Sequence, residues 1–276
     1  MPSEPLRLLV IGAHPDDADY SAGGTAALYR HHGHVVRLIS MTNGDAGHHA
    51  EPGPALAARR RKEAAAAGAV IGATYDTFDN HDGELLPTLE LRHQVIRLLR
   101  TFKPDLVLTH RPNDYHPDHR YTSQLVQDAA YMVTVPAIVP EAPHLPANPA
   151  IAYLPDDFQK PYPLQPAIAV AVDDVIEQIV SMLHCHTSQF YEWLPYNTGT
   201  EKAVPAREPE RKTWLGGQVR DRLRKQAQRF RSLLIANYGP ERGGRVEFAE
   251  AFEPCEYGAP LDQAARRRLF PFVPHV

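Results

Sequence analysis

Four apolar runs of strand length alternate with helical stretches through the first half of the chain, and no other feature restricts its fold as strongly. Leu6–Ala13 (LRLLVIGA), His34–Thr42 (HVVRLISMT), Thr74–Phe78 and Asp105–Thr109 (DLVLT) read as strands. Leu6–Ala13 and Asp105–Thr109 have the pattern of strands buried on both faces of a parallel sheet. Between the runs, three segments read as helices. They are the stretch TAALYRHH that Gly23-Gly24 opens and Gly33 ends, the alanine- and arginine-rich Ala55–Val70, and Leu89–Phe102. In the last of these, Leu91, Val95, Leu98 and Leu99 recur at helical spacing and Pro104 stops the run. Strand–helix alternation of this kind predicts an α/β fold, a Rossmann-like three-layer sandwich with a mostly parallel sheet. Ligands bind such sheets at the carboxyl ends of the strands. Chemistry is therefore expected in the segments directly after the strands.

The second half is less regular. Asp118–Val133 reads as a helix, Pro136–Pro149 as an exposed proline-rich loop, and Ile151–Leu154 and Ala167–Val172 as strands. Asp173–His184 reads as a helix with Asp173 or Asp174 as its cap. Gln218–Ala236 is amphipathic, with Val219, Leu223, Phe230 and Leu234 on one face, and Val246–Phe252 reads as a late strand. No linker divides the chain, so residues 1–276 are expected to form one domain, less regular from about 190. The apolar run Leu8–Ala13 is too short for a signal-peptide core or a membrane span, and a cytoplasmic protein is expected. A net charge of −4 argues against a dedicated nucleic-acid binder.

Two cysteines, Cys185 and Cys255, exclude a disulfide scaffold, a four-cysteine zinc module and an iron–sulfur protein. Fifteen histidines leave a metal site of imidazole and carboxylate open. The segment His14-Pro15-Asp16-Asp17 follows the first strand. His14 and Asp17 are three apart, so one turn of chain brings them to one side, and together they suit Zn²⁺ or another divalent transition metal. Asp16 is then free to act as a general base, although the spacing does not decide which aspartate is the ligand. The plainer reading of this segment alone is a turn whose aspartates cap a helix. After the strand Asp105–Thr109 comes His116-Pro117-Asp118-His119, with His110 nearby. His116 and His119 are again three apart, and Asp118 can orient an imidazole through its second nitrogen. A polar loop in a histidine-rich chain is the plainer reading of that segment alone. Two such clusters, each after a strand, make coincidence a poor account. Three histidine or carboxylate ligands with an open water position is the composition of a catalytic zinc site.

The segment AHPDDADYSAGGTAALYR, with HPDH further on, resembles the PIG-L/LmbE-like family of zinc-dependent de-N-acetylases. Further likenesses are Thr42-Asn43-Gly44-Asp45-Ala46-Gly47, Arg60 with Glu63, Asp82-Gly83-Glu84-Leu85, and His186-Thr187-Ser188-Gln189. The resemblance is dense from about Leu8 to Ala130, patchy to Phe190 and faint afterwards. It implies that His14, Asp17 and His119 hold one zinc ion per chain, a place another divalent metal would also fit. It makes Asp16 the general base, His116 the electrophilic or proton-donating partner oriented by Asp118, and Arg60 a substrate contact. One departure is visible: where the family commonly has glutamate after the paired aspartates, this chain has Ala18 followed by Asp19. The implied activity is removal of an acetyl group from the amide nitrogen of an N-acetylglucosamine-type sugar or glycoconjugate, in a protein compatible with homo-oligomers. An amidase of the same fold acting on a thiol-sugar conjugate is the nearest alternative.

Three other readings are weaker. A metallo-β-lactamase-like hydrolase finds Asp114-x-His116-x-Asp118-His119, one ligand short of its motif, and leaves His14–Asp17 unexplained. A Rossmann dehydrogenase is disfavoured because Ile11-Gly12-Ala13-His14-Pro15 is not a dinucleotide fingerprint. An inactive sugar-binding module would have no use for Asp16. Elsewhere, the aromatic cluster Phe190–Tyr196 is read as packing in preference to a sugar wall. His186 is read as either a site residue or a helix-terminal histidine. Arg59–Lys62, Arg60 excepted, and the basic Arg220–Arg231 are read as solvated helix faces, and His48 and His49 as surface residues.

Overall fold

The computed structural model describes residues 4–275. In chain order its elements are β1 (Arg7–Gly12), α1 (Asp17–His31), β2 (Val35–Ser40), α2 (Pro54–Val70), β3 (Thr74–Thr77), α3 (Leu89–Phe102), β4 (Leu106–Thr109), α4 (Pro117–Met132), β5 (Ala150–Tyr153), β6 (Ile168–Ala171), α5 (Ile176–Cys185), α6 (Leu194–Thr198), α7 (Glu208–Arg229), α8 (Arg231–Tyr238), α9 (Pro240–Arg245), β7 (Ala249–Pro254) and α10 (Gln263–Leu269). The seven strands form one sheet in the order β3-β2-β1-β4-β5-β7-β6. β1 to β5 are parallel, and β7 runs antiparallel to both its neighbours. The fold is therefore α/β with a mostly parallel sheet.

Consecutive residues of β1 face opposite sides of the sheet. Leu8 and Val10 belong to the apolar core that residues of α1, α2, α5 and α7 share, while Leu9 and Ile11 belong to the one shared by residues of α3 and α4. All four are fully buried, which is why Leu8 to Ile11 are apolar without alternation. From β1 the chain builds outward through β2 to β3, then returns to lay β4 along the other edge of β1. The β1–β4 register, Leu8↔Leu106 to Ile11↔Thr109, sets their carboxyl ends side by side. The loops after these two strands thus flank the point where the strand order reverses, the usual crevice for a ligand.

The structure departs from the sequence expectations in four elements. α1 begins at Asp17, well before Gly23. It kinks at Ala22 (φ −141, ψ 17), which frees backbone N–H groups just beyond. The Glu250 carboxylate of β7 accepts from Gly24 N–H and Thr25 N–H at 2.8 Å each. The apparent helix start at Gly23-Gly24 is thus the second half of α1 resuming past a kink. Gly24 is needed there, because a Cβ would lie 2.5 Å from Val172. Neither Asp173 nor Asp174 caps α5 with its side chain; both lie in a 3-10 turn, and Asp173 accepts instead from Glu247 N–H at 2.8 Å. The helix expected over Gln218–Ala236 is split into α7 and α8 at Phe230, and the late strand is Ala249–Pro254. Among the described residues, no helix is long and apolar enough to cross a membrane.

Candidate metal centre and active site

The chain turns immediately after β1. The N–H groups of Asp16 and Asp17 both donate to the His14 carbonyl, at 2.9 and 3.2 Å. Asp17 Oδ2 folds back to accept from Ala13 N–H at 3.0 Å and His14 N–H at 2.7 Å. A Cβ on Gly12 would come within 2.6 Å of the Asp17 Cβ, so the turn needs glycine there. After β4 the second segment is organised in the same way. His116 caps α4, its Nδ1 accepting from Asp118 N–H at 3.2 Å, and Pro117 takes the first helical position.

The two loops meet at their imidazoles. His14 Nδ1 lies 3.2 Å from His119 Nε2 and 3.3 Å from Asp17 Oδ2, and His119 Nε2 lies 3.4 Å from the same oxygen. Zinc ligands at about 2.0–2.1 Å in a tetrahedral arrangement stand about 3.3 Å apart, so these atoms fit such an ion. His110 stacks on His119 with ring centroids 3.9 Å apart, and the His116 ring meets His14 edge-on at 4.5 Å. Donor atoms also gather within 4.8 Å of one another in three other sets: His14, His116 and His119; His14, Asp82, His116 and Asp118; and Asp17, His110 and His119.

Carboxylates stand at the far nitrogens. His14 Nε2 is 3.1 Å from Asp82 Oδ1 and 3.3 Å from Asp118 Oδ2, and His119 Nδ1 is 3.1 Å from Asp114 Oδ1. Carboxylates placed behind imidazoles in this way fix their orientation and raise their basicity as ligands. The Asp118 carboxylate also accepts from Gly83 N–H at 2.7 Å and Leu85 N–H at 3.2 Å. This corrects the expectation that Asp118 orients His116. Its carboxylate is committed to His14 and the 83–85 turn, and only its backbone N–H meets the His116 ring.

Charge is uneven across the cluster. Burial disfavours the Asp17 carboxylate, yet the adjacent imidazoles of His119, His110 and His14 hold it well below the usual carboxylate range. Burial also opposes charge on His14, but the surrounding Asp118, Asp17 and Asp82 raise its pKa well above the ordinary value. This crowding of carboxylates around imidazoles is an environment that a cation satisfies. Asp16 behaves differently: burial raises its pKa, and Arg60 opposes that rise. His116 is pushed down by burial and by the neighbouring His14 and His119, against the pull of Asp118.

Arg60 is only 2% exposed. Its guanidinium reaches Asp16 Oδ1 at 3.3 Å, Asp82 Oδ2 at 3.5 Å and the Gly44 carbonyl at 3.2 Å. Gly44 adopts φ 72, and a Cβ there would lie 2.5 Å from the guanidinium. Arg60, expected as a substrate contact, therefore lines the cavity while paired to Asp16.

A cavity of about 620 Å³ opens over these groups, and Tyr20, Tyr115, Phe158, Phe190 and Trp193 are among the residues that line it. The reading of Phe190–Tyr196 as packing is thus only partly right. Tyr191 and Phe190 are both buried in the core, but Phe190 also lines the cavity, as do Trp193 and Leu194. His186 ends α5 and is fully buried, with Nε2 2.9 Å from Asp19 Oδ2. Two residues read as solvated are engaged: Arg59 pairs with Glu63 and Glu192, and buried His48 pairs with Glu192 at 2.9 Å. Asp82 and Asp114 were given no role from sequence. Their only signals are the Asp82–Leu85 likeness for the first and, for the second, its place in the disfavoured Asp114-x-His116-x-Asp118-His119 pattern.

Residues 9–130 match the PIG-L family model, described as GlcNAc-PI de-N-acetylase. The 4-oxalmesaconate hydratase of Pseudomonas putida is 26% identical over 68% of this chain and 76% of its own length. The diacetylchitobiose deacetylase of Thermococcus kodakarensis is 29% identical over 69% of this chain and 74% of its own. Among solved structures, the N,N'-diacetylchitobiose deacetylase of Pyrococcus horikoshii superposes with a TM-score of 0.70 at 23% identity. That match covers 92% of this chain and 85% of the other and speaks to the fold.

Proposed function

Residues 9–130 are a PIG-L family domain, and from that premise we propose a zinc-dependent de-N-acetylase acting on an N-acetylglucosamine-type sugar or conjugate. The chain is an amide hydrolase of the deacetylase and amidase kind; the metal, the acyl group and the sugar are our reading. The observation that carries it is the triangle of His14, Asp17 and His119, with edges of 3.2–3.4 Å, beside an Asp16 carboxylate that is not part of it. We assign the metal to that triangle.

A divalent ion held there supplies Lewis acidity, which lowers the pKa of water from about 15.7 to about 7 and polarises a carbonyl. The remaining work belongs to side chains. Asp16 lines the cavity, where the Arg60 guanidinium 3.3 Å away holds it in place and opposes the rise in pKa that burial imposes. It takes the proton from water as the water attacks the acetamide carbon. His116 is held towards its neutral form, and its Nδ1 accepts the Asp118 N–H. Its own proton therefore sits on Nε2, where it donates to the carbonyl oxygen as negative charge builds. Asp16, protonated by the first step, returns that proton to the departing nitrogen.

The test is to load the full chain with zinc and follow acetate and free amine from N-acetylglucosamine, diacetylchitobiose and a thiol-sugar amide. Acetate release that a chelator abolishes and zinc restores is the expected result. Amine release without acetate would move the assignment to the amidase. Hydration of an unsaturated carboxylate without amide cleavage, the chemistry that the Pseudomonas relative's name describes, would overturn it.

A further inference from the structure

The cavity is chemically divided. Most of its ionisable groups gather about the two metal motifs, and away from them five aromatic rings share the wall with small and polar residues such as Ser21, Gln189 and Asn197. At about 620 Å³ it lies within the range of roughly 300–1,000 Å³ that encloses ligands larger than one small ring. Four of the five rings occur as two stacked pairs. Tyr20 of α1 stacks on Phe190 with centroids 6.2 Å apart, and Arg222 covers the Tyr20 ring at 3.9 Å. Tyr115, one residue before His116, stacks on Phe158 at 6.3 Å and touches the His119 ring edge-on at 5.5 Å.

The second pair has the more unusual surroundings. Tyr115 is 71% exposed, the largest value among the exposed large apolar residues, although it lines a concave site next to the reacting groups. Aromatic surface left open inside a cavity marks a place for a ligand's apolar face. Its partner is held firmly. Asp156 Oδ1 accepts from Phe158 N–H at 3.1 Å and from fully buried Arg111 at 2.8 Å. Arg229 binds the Asp156 carbonyl at 2.7 Å. This bracing presents a fixed stacking surface.

Resting on the deacetylase reading above, we propose that Tyr115 and Phe158 form a platform for a second ring of the substrate. The chain then acts on glycosides whose aglycone offers a flat apolar face, in preference to the free sugar or a glycoside with a small aglycone. A pyranose and an aryl ring share that face, and the experiment separates them.

With the zinc-loaded full chain, kcat/KM is measured for three N-acetylglucosaminides: the methyl β-glycoside, the p-nitrophenyl β-glycoside and diacetylchitobiose. At least one ring-bearing substrate should exceed the methyl glycoside, chiefly through a lower KM, and which one does identifies the ring. In Tyr115→Ala that advantage should fall about threefold to tenfold, the size of one stacking contact. Tyr115→Phe, which keeps the ring, should retain it, and Phe158→Ala should reduce it. Tyr115 is largely solvent-exposed, so its truncation spares the core. Equal kcat/KM for all three substrates, or an advantage unchanged in Tyr115→Ala, would overturn the platform while leaving the deacetylase standing. Failure to release acetate from all three would overturn the deacetylase reading and the platform with it.

Discussion

Asp16 and Asp17 are adjacent, equally buried by their surroundings, and driven apart in acidity by what each one touches. Asp17 Oδ2 collects two backbone N–H groups and faces the His14, His110 and His119 imidazoles, and these hold it far down despite burial. Asp16 has one guanidinium against the same burial and is left raised. Two neighbouring carboxylates separated in this way suit two roles, which we propose to be ligand and base. Spacing alone could not assign them, because it says nothing about which carboxylate folds back onto the turn. Behind the centre, Asp114 faces the far nitrogen of His119 at 3.1 Å. Asp114→Asn removes that charge with little change in shape. Zinc affinity, measured by chelator competition, should fall roughly 10- to 100-fold. An unchanged affinity would show that Asp114 does not support His119. The HPDD and HPDH residues were legible because several ligand types fall within four positions. Asp82 and Asp114 were not, because a lone aspartate in a loop looks like any other.

At the scale of elements, the centre depends on how the first turn of α1 is held. Asp19 sits in that turn and pairs with His186 at the end of α5; both side chains are fully buried. Burial lowers the His186 pKa, but Asp19 outweighs it and the net direction is up. A histidine whose folded pKa is raised stabilises fully below its unfolded value, about 6.5, and that stabilisation is lost as pH climbs through the folded value. Asp19→Asn should therefore cost about 3–5 kcal/mol at slightly acidic pH, because the imidazolium loses its buried partner. It should also flatten the pH dependence of stability above about pH 6.5, where the raised His186 otherwise loses its proton, as read by denaturant unfolding. A slope unchanged in Asp19→Asn would place that proton elsewhere. This pairing was invisible in sequence, since its partners lie 167 positions apart. Elements set by local pattern were readable: α3 spans Leu89–Phe102 as its periodicity indicated, and α2 and β4 differ from expectation only at their ends. The beginning of α1 was misread because its kink is satisfied by Glu250, a residue from the far end of the chain.

Across the whole molecule, the site exists because the chain returns past its first strand. β1 carries one motif and β4 the other, and their parallel register brings both loops to one crevice between the two faces of the core. The alternation of runs made the parallel sheet legible, and with it the end of the sheet where chemistry would lie. It did not reveal that β7, from the weakly patterned C-terminal part, inserts between β5 and β6, because strand order is decided by contacts remote in sequence. We propose that in this crevice His14, Asp17 and His119 hold the metal while Asp16 moves the proton. The most direct test is bound zinc and acetate release, measured in parallel on the wild type, Asp16→Ala and Asp17→Ala. The account predicts about one zinc per chain in the wild type, zinc retained but turnover reduced roughly 10²- to 10⁴-fold in Asp16→Ala, and zinc lost in Asp17→Ala. Zinc lost from Asp16→Ala but kept by Asp17→Ala would contradict it.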